Sequence, residues 1–232
     1  MSYIEENLNN IKKEIEVFCQ EKKMDVSAIK LVAVTKTVDI EKINEVIELG
    51  INDIGENKVQ EITDKFESVK KGVSWHLIGH LQSNKVKYII DKVDLIHSVD
   101  SISLAKEISL RAGKINRTMD VLIQVNPADE ESKFGIEYDE TERFVEEVSQ
   151  LPNIRIRGLM TIAPFYEDLE KVRPYFKMMK NKFDSLKSVK KENVSMDYLS
   201  MGMTSDYMVA LEEGSNLIRI GTGIFGKRDY IK

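Results

Sequence analysis

The chain has 232 residues, with 34 Lys and Arg against 39 Asp and Glu, for a formal net charge of −5. That length suits one large α/β domain over residues 1–232, and the interleaved charges leave no basic footprint of a nucleic-acid binder. One cysteine, Cys19, excludes an internal disulfide and fits a reducing, cytoplasmic setting, while Glu5 and Glu6 leave no continuous apolar start for a signal peptide or membrane span.

In chain order, Ser2-x-x-Glu5 reads as a capping box, and Ile4, Leu8, Ile11, Ile15 and Phe18 recur at helical spacing, which predicts a leading amphipathic helix with Cys19 as a small packed hydrophobe. From Lys30 onward, short runs rich in β-branched residues alternate with helix-period segments. The runs fall near 31–36, 52–55, 74–79, 94–98, 119–126, 154–160, 196–201 and 217–221, eight strands in all. Between them Asp39 starts a helix that Gly50 stops, Ser101 starts one that Gly113 stops, and Asp139 opens another. Pro174, inside the helical pattern from Leu169 to Leu186, either kinks it or begins a second helix at its first turn. Eight βα units predict a single (β/α)8 TIM barrel with an extra N-terminal helix. An open doubly wound sheet would more often carry a glycine-rich first turn, which is absent.

In such a barrel the C-terminal end of each strand reaches the reaction face. Lysine is abundant here and elsewhere reads as a solvated charge, but Lys36 closes the run Leu31-Val32-Ala33-Val34-Thr35, where an amine is placed to form a Schiff base. Such an amine fits either an aldolase or a pyridoxal phosphate anchor, and a phosphate cradle separates the two. Two candidate cradles occur, Met201-Gly202-Met203-Thr204-Ser205-Asp206 after the seventh strand and Gly221-Thr222-Gly223 after the eighth. Loops at these two places frequently bind phosphate in barrels, since glycine lets backbone N–H groups approach the anion. Arg219 lies in Leu217-Ile218-Arg219-Ile220-Gly221 and points into the barrel if Ile218 and Ile220 face the helices. Beside a pyridine nitrogen it would donate to the ring and keep it unprotonated. Asn57 reads as a polar contact at the site mouth and Trp75 as core. His76 and His80 lack further ligands at metal spacing, so they read as structural or hydrogen-bonding residues and no metal is implied.

As a set, these residues resemble the YggS/PROSC family of pyridoxal phosphate-binding proteins. The similarity runs through Ala33-Val34-Thr35-Lys36, Gly55-Glu56-Asn57 with Val59-Gln60-Glu61, Trp75-His76 with Ile78-Gly79 and Leu81-Gln82, Gly158-Leu159-Met160-Thr161, Ser200-Met201-Gly202-Met203 with Asp206, and Arg219-Ile220-Gly221-Thr222 with Phe225-Gly226. The resemblance implies a barrel like the N-terminal domain of alanine racemase, with pyridoxal 5′-phosphate joined to Lys36. It also implies phosphate contacts from Ser200, Thr204, Gly221 and Thr222, and Arg219 beside the pyridine nitrogen. This chain departs from the common pattern at Leu77, at Thr204, where serine is usual, and at Gly223.

The resulting expectation is a monomeric, non-catalytic pyridoxal phosphate-binding protein of vitamin B6 homeostasis. Pyridoxal phosphate-dependent apoenzymes are the expected recipients, and neither nucleic acid nor membrane is a partner. The alternative is an amino-acid racemase, disfavoured by the missing C-terminal β domain that supplies the opposing base. A cofactor-free aldolase would leave the double phosphate motif unexplained.

Overall fold

A computed structural model describes residues 2–128 and 134–226. Its strands are β1 (Lys30–Val34), β2 (Asp53–Glu56), β3 (Ser74–Leu77), β4 (Leu95–Val99), β5 (Met119–Asn126), the two-residue β6 (Ile136–Glu137), β7 (Ile154–Met160), β8 (Val194–Ser200) and β9 (Leu217–Ile220). All are parallel to their neighbours, in the order β4-β3-β2-β1-β9-β8-β7-β5-β6, and β4 pairs with β5 to close the ring. Setting β6 aside, the closed ring has the eight predicted strands. The helices are α1 (Tyr3–Lys22), α2 (Ile40–Glu48), α3 (Val59–Lys65), α4 (Ile102–Lys114), α5 (Thr141–Val148), α6 (Arg173–Leu186), α7 (Tyr207–Glu212) and α8 (Thr222–Phe225).

Two separate apolar clusters follow from strand alternation. The larger joins the helices to outward residues such as Ala33, Ile54, Ile96, Ile218 and Ile220. The smaller contains Val32, Leu95, Leu122, Met160 and Leu217, one from each of five strands, and is the apolar part of the barrel interior. Helix α1 begins at Ser2, whose hydroxyl accepts the Glu5 N–H, and buries Ile4, Leu8, Ile11, Ile15, Phe18 and Cys19. It seals the seam between the last and first units, since Asn7 donates to Ile224 O at 3.1 Å and Lys12 to Leu49 O at 2.7 Å. Among the described residues no helix is long and apolar enough to cross a membrane.

Three local expectations change, and for Pro174 the structure selects one of the two alternatives. Strand β1 ends at Val34; the Thr35 N–H still donates to Gly55 O at 2.9 Å, but Lys36 lies in the turn that follows, beside Thr37 at φ 58°. Gly113 lies inside α4, where a Cβ would stand 2.6 Å from Asn153 Nδ2, and the left-handed residue after the helix is Asn116 at φ 51°. Pro174 sits in the first turn of α6, after a short 3-10 turn over Leu169–Lys171, so it begins a helix and does not kink one. Asp139 precedes the actual cap of α5, Glu140. The strand β6, which extends β5 beyond the ring through Val125 and Asn126, carries no alternation long enough to be predicted.

Gly158 marks a register shift between β7 and β8, with φ 145°; a Cβ there would lie 1.9 Å from Tyr198 O. Alanine would have to push these neighbouring strands apart and adopt a strained backbone. Gly158→Ala is expected to lower unfolding free energy by about 3 kcal/mol, read as a fall in the urea midpoint at unchanged slope.

Candidate functional site

Lys36 is half-buried in the turn after β1, and a charged cluster behind the sheet fixes the backbone on either side of it. Lys65, at the end of α3, donates to Thr35 O at 2.9 Å, to Glu56 Oε1 at 2.8 Å and to Glu61 Oε2 at 2.9 Å. Glu56 also accepts from Thr35 Oγ1 at 2.7 Å, and Glu61 accepts the Thr37 N–H at 2.6 Å. Both residues flanking Lys36 are thereby tied to one ammonium and its two carboxylates. Glu56 is fully buried, and its Oε2 has no hydrogen-bond partner. Burial pushes its carboxyl above the usual glutamate range, against the pull of Lys65 and Thr35.

The other predicted residues leave neighbouring strands at the same end. β1 pairs with β9, with Val32 opposite Arg219 and Ala33 opposite Ile220, so the Lys36 turn and Gly221-Thr222 emerge side by side. β8 adjoins β9, where Met201 N–H donates to Leu217 O at 3.2 Å and Arg219 N–H to Gly202 O at 3.1 Å. The two glycine loops touch directly: Gly223 N–H donates to Thr204 Oγ1 at 3.1 Å. A Cβ at residue 223 would lie 3.1 Å from the Thr204 methyl and 2.9 Å from Ile220 Cγ2. The two departures from the family pattern at Thr204 and Gly223 are thus one packing arrangement, in which the methyl occupies space that a side chain at 223 would need.

Arg219 does point into the barrel and is 3% exposed. Its Nη1 donates to Ser200 Oγ at 2.6 Å and its Nη2 to Thr161 O at 2.9 Å. Burial draws the guanidinium down to about 10, opposed by Asp206, so it stays charged at neutral pH. Asp206 also accepts the Met203 N–H at 2.6 Å and so shapes the first loop.

Three of the predicted residues also have structural contacts of their own. Ser200 is fully buried, and its hydroxyl is engaged with Arg219 and, at 3.1 Å, with His97 Nδ1. Met201 sends its side chain into the outer core and its N–H to Leu217, so it forms the root of the loop. Gly202, at φ 93°, is needed because a Cβ would meet Ala210 Cβ at 2.6 Å and Tyr207 Cα at 2.9 Å, a packing reason. Thr222 is exposed at the start of α8, next to its cap Gly221. Asn57 follows β2 and lines a cleft of about 490 Å³ with Lys58, His80 and Lys85. His80 stacks on Phe134 with ring centroids 3.8 Å apart, and His76 bonds inside the barrel to His97 and Asp53. Sequence reading gave no role of its own to His97, Asp206 or the Lys65 cluster. Only Asp206 and the two glutamates had a signal, their place inside the quoted motifs.

The sequence profile of the alanine racemase N-terminal domain matches residues 6–229, and the chain belongs to that family. Within it, an Aquifex aeolicus protein named pyridoxal phosphate homeostasis protein is 44% identical over 97% of this chain and 98% of its own length. The structure of PipY from Synechococcus elongatus with pyridoxal phosphate bound superposes with a TM-score of 0.82, at 31% identity over 96% of this chain and 100% of that one. A Clostridium difficile alanine racemase shares the fold at 17% identity and TM-score 0.74, and the match takes in 100% of this chain and 58% of the racemase.

Lys65→Met tests the clamp. Leaving Glu56 buried without its cation is expected to cost about 3–5 kcal/mol at neutral pH. Glu56 binds its proton more tightly folded than unfolded, so its stabilising contribution is complete below the ordinary glutamate pKa and is lost as pH rises through the raised one. Without Lys65 the folded value climbs further, so urea titrations should show the Glu56 part of the deficit shrinking as pH falls from neutral toward about 4.3 and unchanged below it.

Proposed function

We propose that this chain binds pyridoxal 5′-phosphate covalently on Lys36 and holds it for vitamin B6 homeostasis, without sustained catalytic turnover. The observation that carries the reading is the convergence, at one end of adjacent strands β8, β9 and β1, of a bonded pair of glycine loops, a buried guanidinium and an amine. The residues fit the group: an amine for its aldehyde, hydroxyls and loop N–H groups for its phosphate, and a donor for its ring nitrogen. When bound, it would supply a reactive aldehyde and a conjugated ring able to take up electrons.

Lys36 is the point of attachment. Gly202, Thr204, Gly221 and Thr222 hold the phosphate, and Asn57 stands at the mouth. Ser200 and Met201 contribute from below, Ser200 by holding Arg219 and Met201 by rooting the loop. Arg219 has N–H groups only, so at the ring nitrogen it donates and leaves that nitrogen unprotonated, which weakens the ring as an electron sink. This arrangement favours holding over racemisation. The homeostasis name of the Aquifex aeolicus relative supports the same choice. Pyridoxal phosphate-dependent apoenzymes are the recipients in this reading.

Borohydride reduction of loaded protein followed by peptide mapping should place the adduct on Lys36; an adduct on another lysine, or none, overturns the assignment. In the same preparation, L- and D-alanine in deuterated water should show no sustained α-proton exchange. Exchange over many turnovers per site would establish the racemase alternative.

Thr204→Ala combined with Thr222→Ala should weaken cofactor binding while leaving attachment at Lys36 intact. Each phosphate contact is worth roughly 1.5–3 kcal/mol, so equilibrium titration should show a loss of at least about a hundredfold. Binding equal to that of the unaltered protein would place the phosphate elsewhere.

A further inference from the structure

Six residues on six different strands form a continuous polar line through the barrel interior. Lys30 Nζ on β1 donates to Asp53 Oδ1 on β2 at 2.8 Å, and His76 Nε2 on β3 meets the same oxygen at 3.0 Å. His76 Nδ1 then meets His97 Nε2 on β4 at 2.8 Å, and His97 Nδ1 meets Ser200 Oγ on β8 at 3.1 Å. Ser200 Oγ finally accepts from Arg219 Nη1 on β9 at 2.6 Å. The end near Lys30 and Asp53 opens into a cleft of about 350 Å³ at the N-terminal ends of the strands, lined also by Lys12, Glu16 and Asn52. The other end is the site.

The direction of every bond in this line follows from its two ends. A guanidinium only donates and an ionised carboxylate only accepts. Ser200 Oγ, accepting a hydrogen bond from Arg219, has its own O–H to donate to His97 Nδ1. His97 must then carry its proton on Nε2 and donate to His76 Nδ1, and His76 must carry its proton on Nε2 and donate to Asp53. With neutral imidazoles the line therefore has one proton arrangement. Burial, then His76 and Arg219, holds His97 well below the ordinary histidine range. Burial pushes the Asp53 carboxyl up, but hydrogen bonds from His76 and Lys30 together outweigh it and keep it below the usual aspartate range. Among the described residues the charged groups bearing on the line are Lys30, Asp53 and Arg219, with Asp206 acting on Arg219.

We infer that Lys30, Asp53, His76, His97 and Ser200 are positioning residues for Arg219: a one-way hydrogen-bond line, anchored on Asp53 at the far end of the barrel, that fixes which N–H groups of Arg219 remain for the cofactor ring. The inference rests on the proposed binding of pyridoxal phosphate at Lys36. It also assigns the Ser200 hydroxyl away from the phosphate, because its one proton is given to His97. Asp53 thus influences the ring environment from the opposite end of the barrel.

The test pairs histidine nitrogen NMR with spectroscopy of the loaded protein. In the unaltered protein the neutral imidazoles of His76 and His97 should each carry their proton on Nε2, with or without pyridoxal phosphate, and the absorption band should stay constant from about pH 6 to 8. Asp53→Asn replaces the acceptor-only anchor with a group that both donates and accepts. Both histidines should then populate two forms, the band should become pH-dependent, and affinity for pyridoxal phosphate should fall about tenfold, or about 1.4 kcal/mol, with borohydride still fixing the adduct on Lys36. Ser200→Ala, a smaller change at the other end, should produce the same pH-dependent band. An Nδ1–H histidine in the unaltered protein overturns the inference. So does a folded Asp53→Asn or Ser200→Ala that loses stability while its band and pH profile remain unchanged. If the unaltered protein takes no cofactor on Lys36, the binding reading itself fails, and the role given to Arg219 falls with it.

Discussion

A guanidinium shut inside a closed ring of strands must find its acceptors there, and Arg219 imposes that demand on its whole end of the barrel. Its acceptors are Ser200 Oγ on β8 and Thr161 O just past β7, with the Asp206 carboxylate as the charge that opposes its desolvation. Because the backbone N–H of Arg219 also bonds Gly202 O, the first glycine loop is pinned to β9 at the residue whose side chain lies beneath the site. One buried charge therefore fixes the relative heights of β7, β8 and β9. The loops above inherit that registration.

The opposite side of the sheet carries a second electrostatic group with a different task. Glu56, Lys65 and Glu61 lie between β2 and α3, outside the ring, and hold Thr35 and Thr37. The interior line decides what stands beneath the site, and the exterior cluster decides where the Lys36 turn sits. Between them run β1 and β2, whose inner face includes Val32 and Asp53 and whose outer face includes Ala33 and Glu56. The period of two in a strand lets adjacent residues serve two networks that do not touch.

Alternation is also why much of this was readable beforehand. The eight ring strands stood out as β-branched runs, and Arg219 could be turned inward because Ile218 and Ile220 claim the outer face. Lys36 was found because it ends such a run, although Thr35, itself β-branched, made the run seem longer than the strand. What escaped notice depended on contacts between distant segments. Lys65 and Glu56 look like any solvated pair of charges until β2 and α3 are packed together. His97 sits in a strand with no motif of its own, and its partners are 21 residues back and 103 residues on. Gly113 was misread as a stop because a glycine kept for close approach to Asn153 looks the same in sequence as one kept for a left-handed turn.

The bond between Thr204 and Gly223 links the two loops through a hydroxyl on one and a bare backbone on the other. Segments exchanged with relatives should consequently travel together: a loop bearing a larger residue at 223 needs a partner loop without the Thr204 methyl. The same coupling makes positions 204 and 223 a unit of inheritance, expected to change in step across the family even though nineteen residues separate them in the chain.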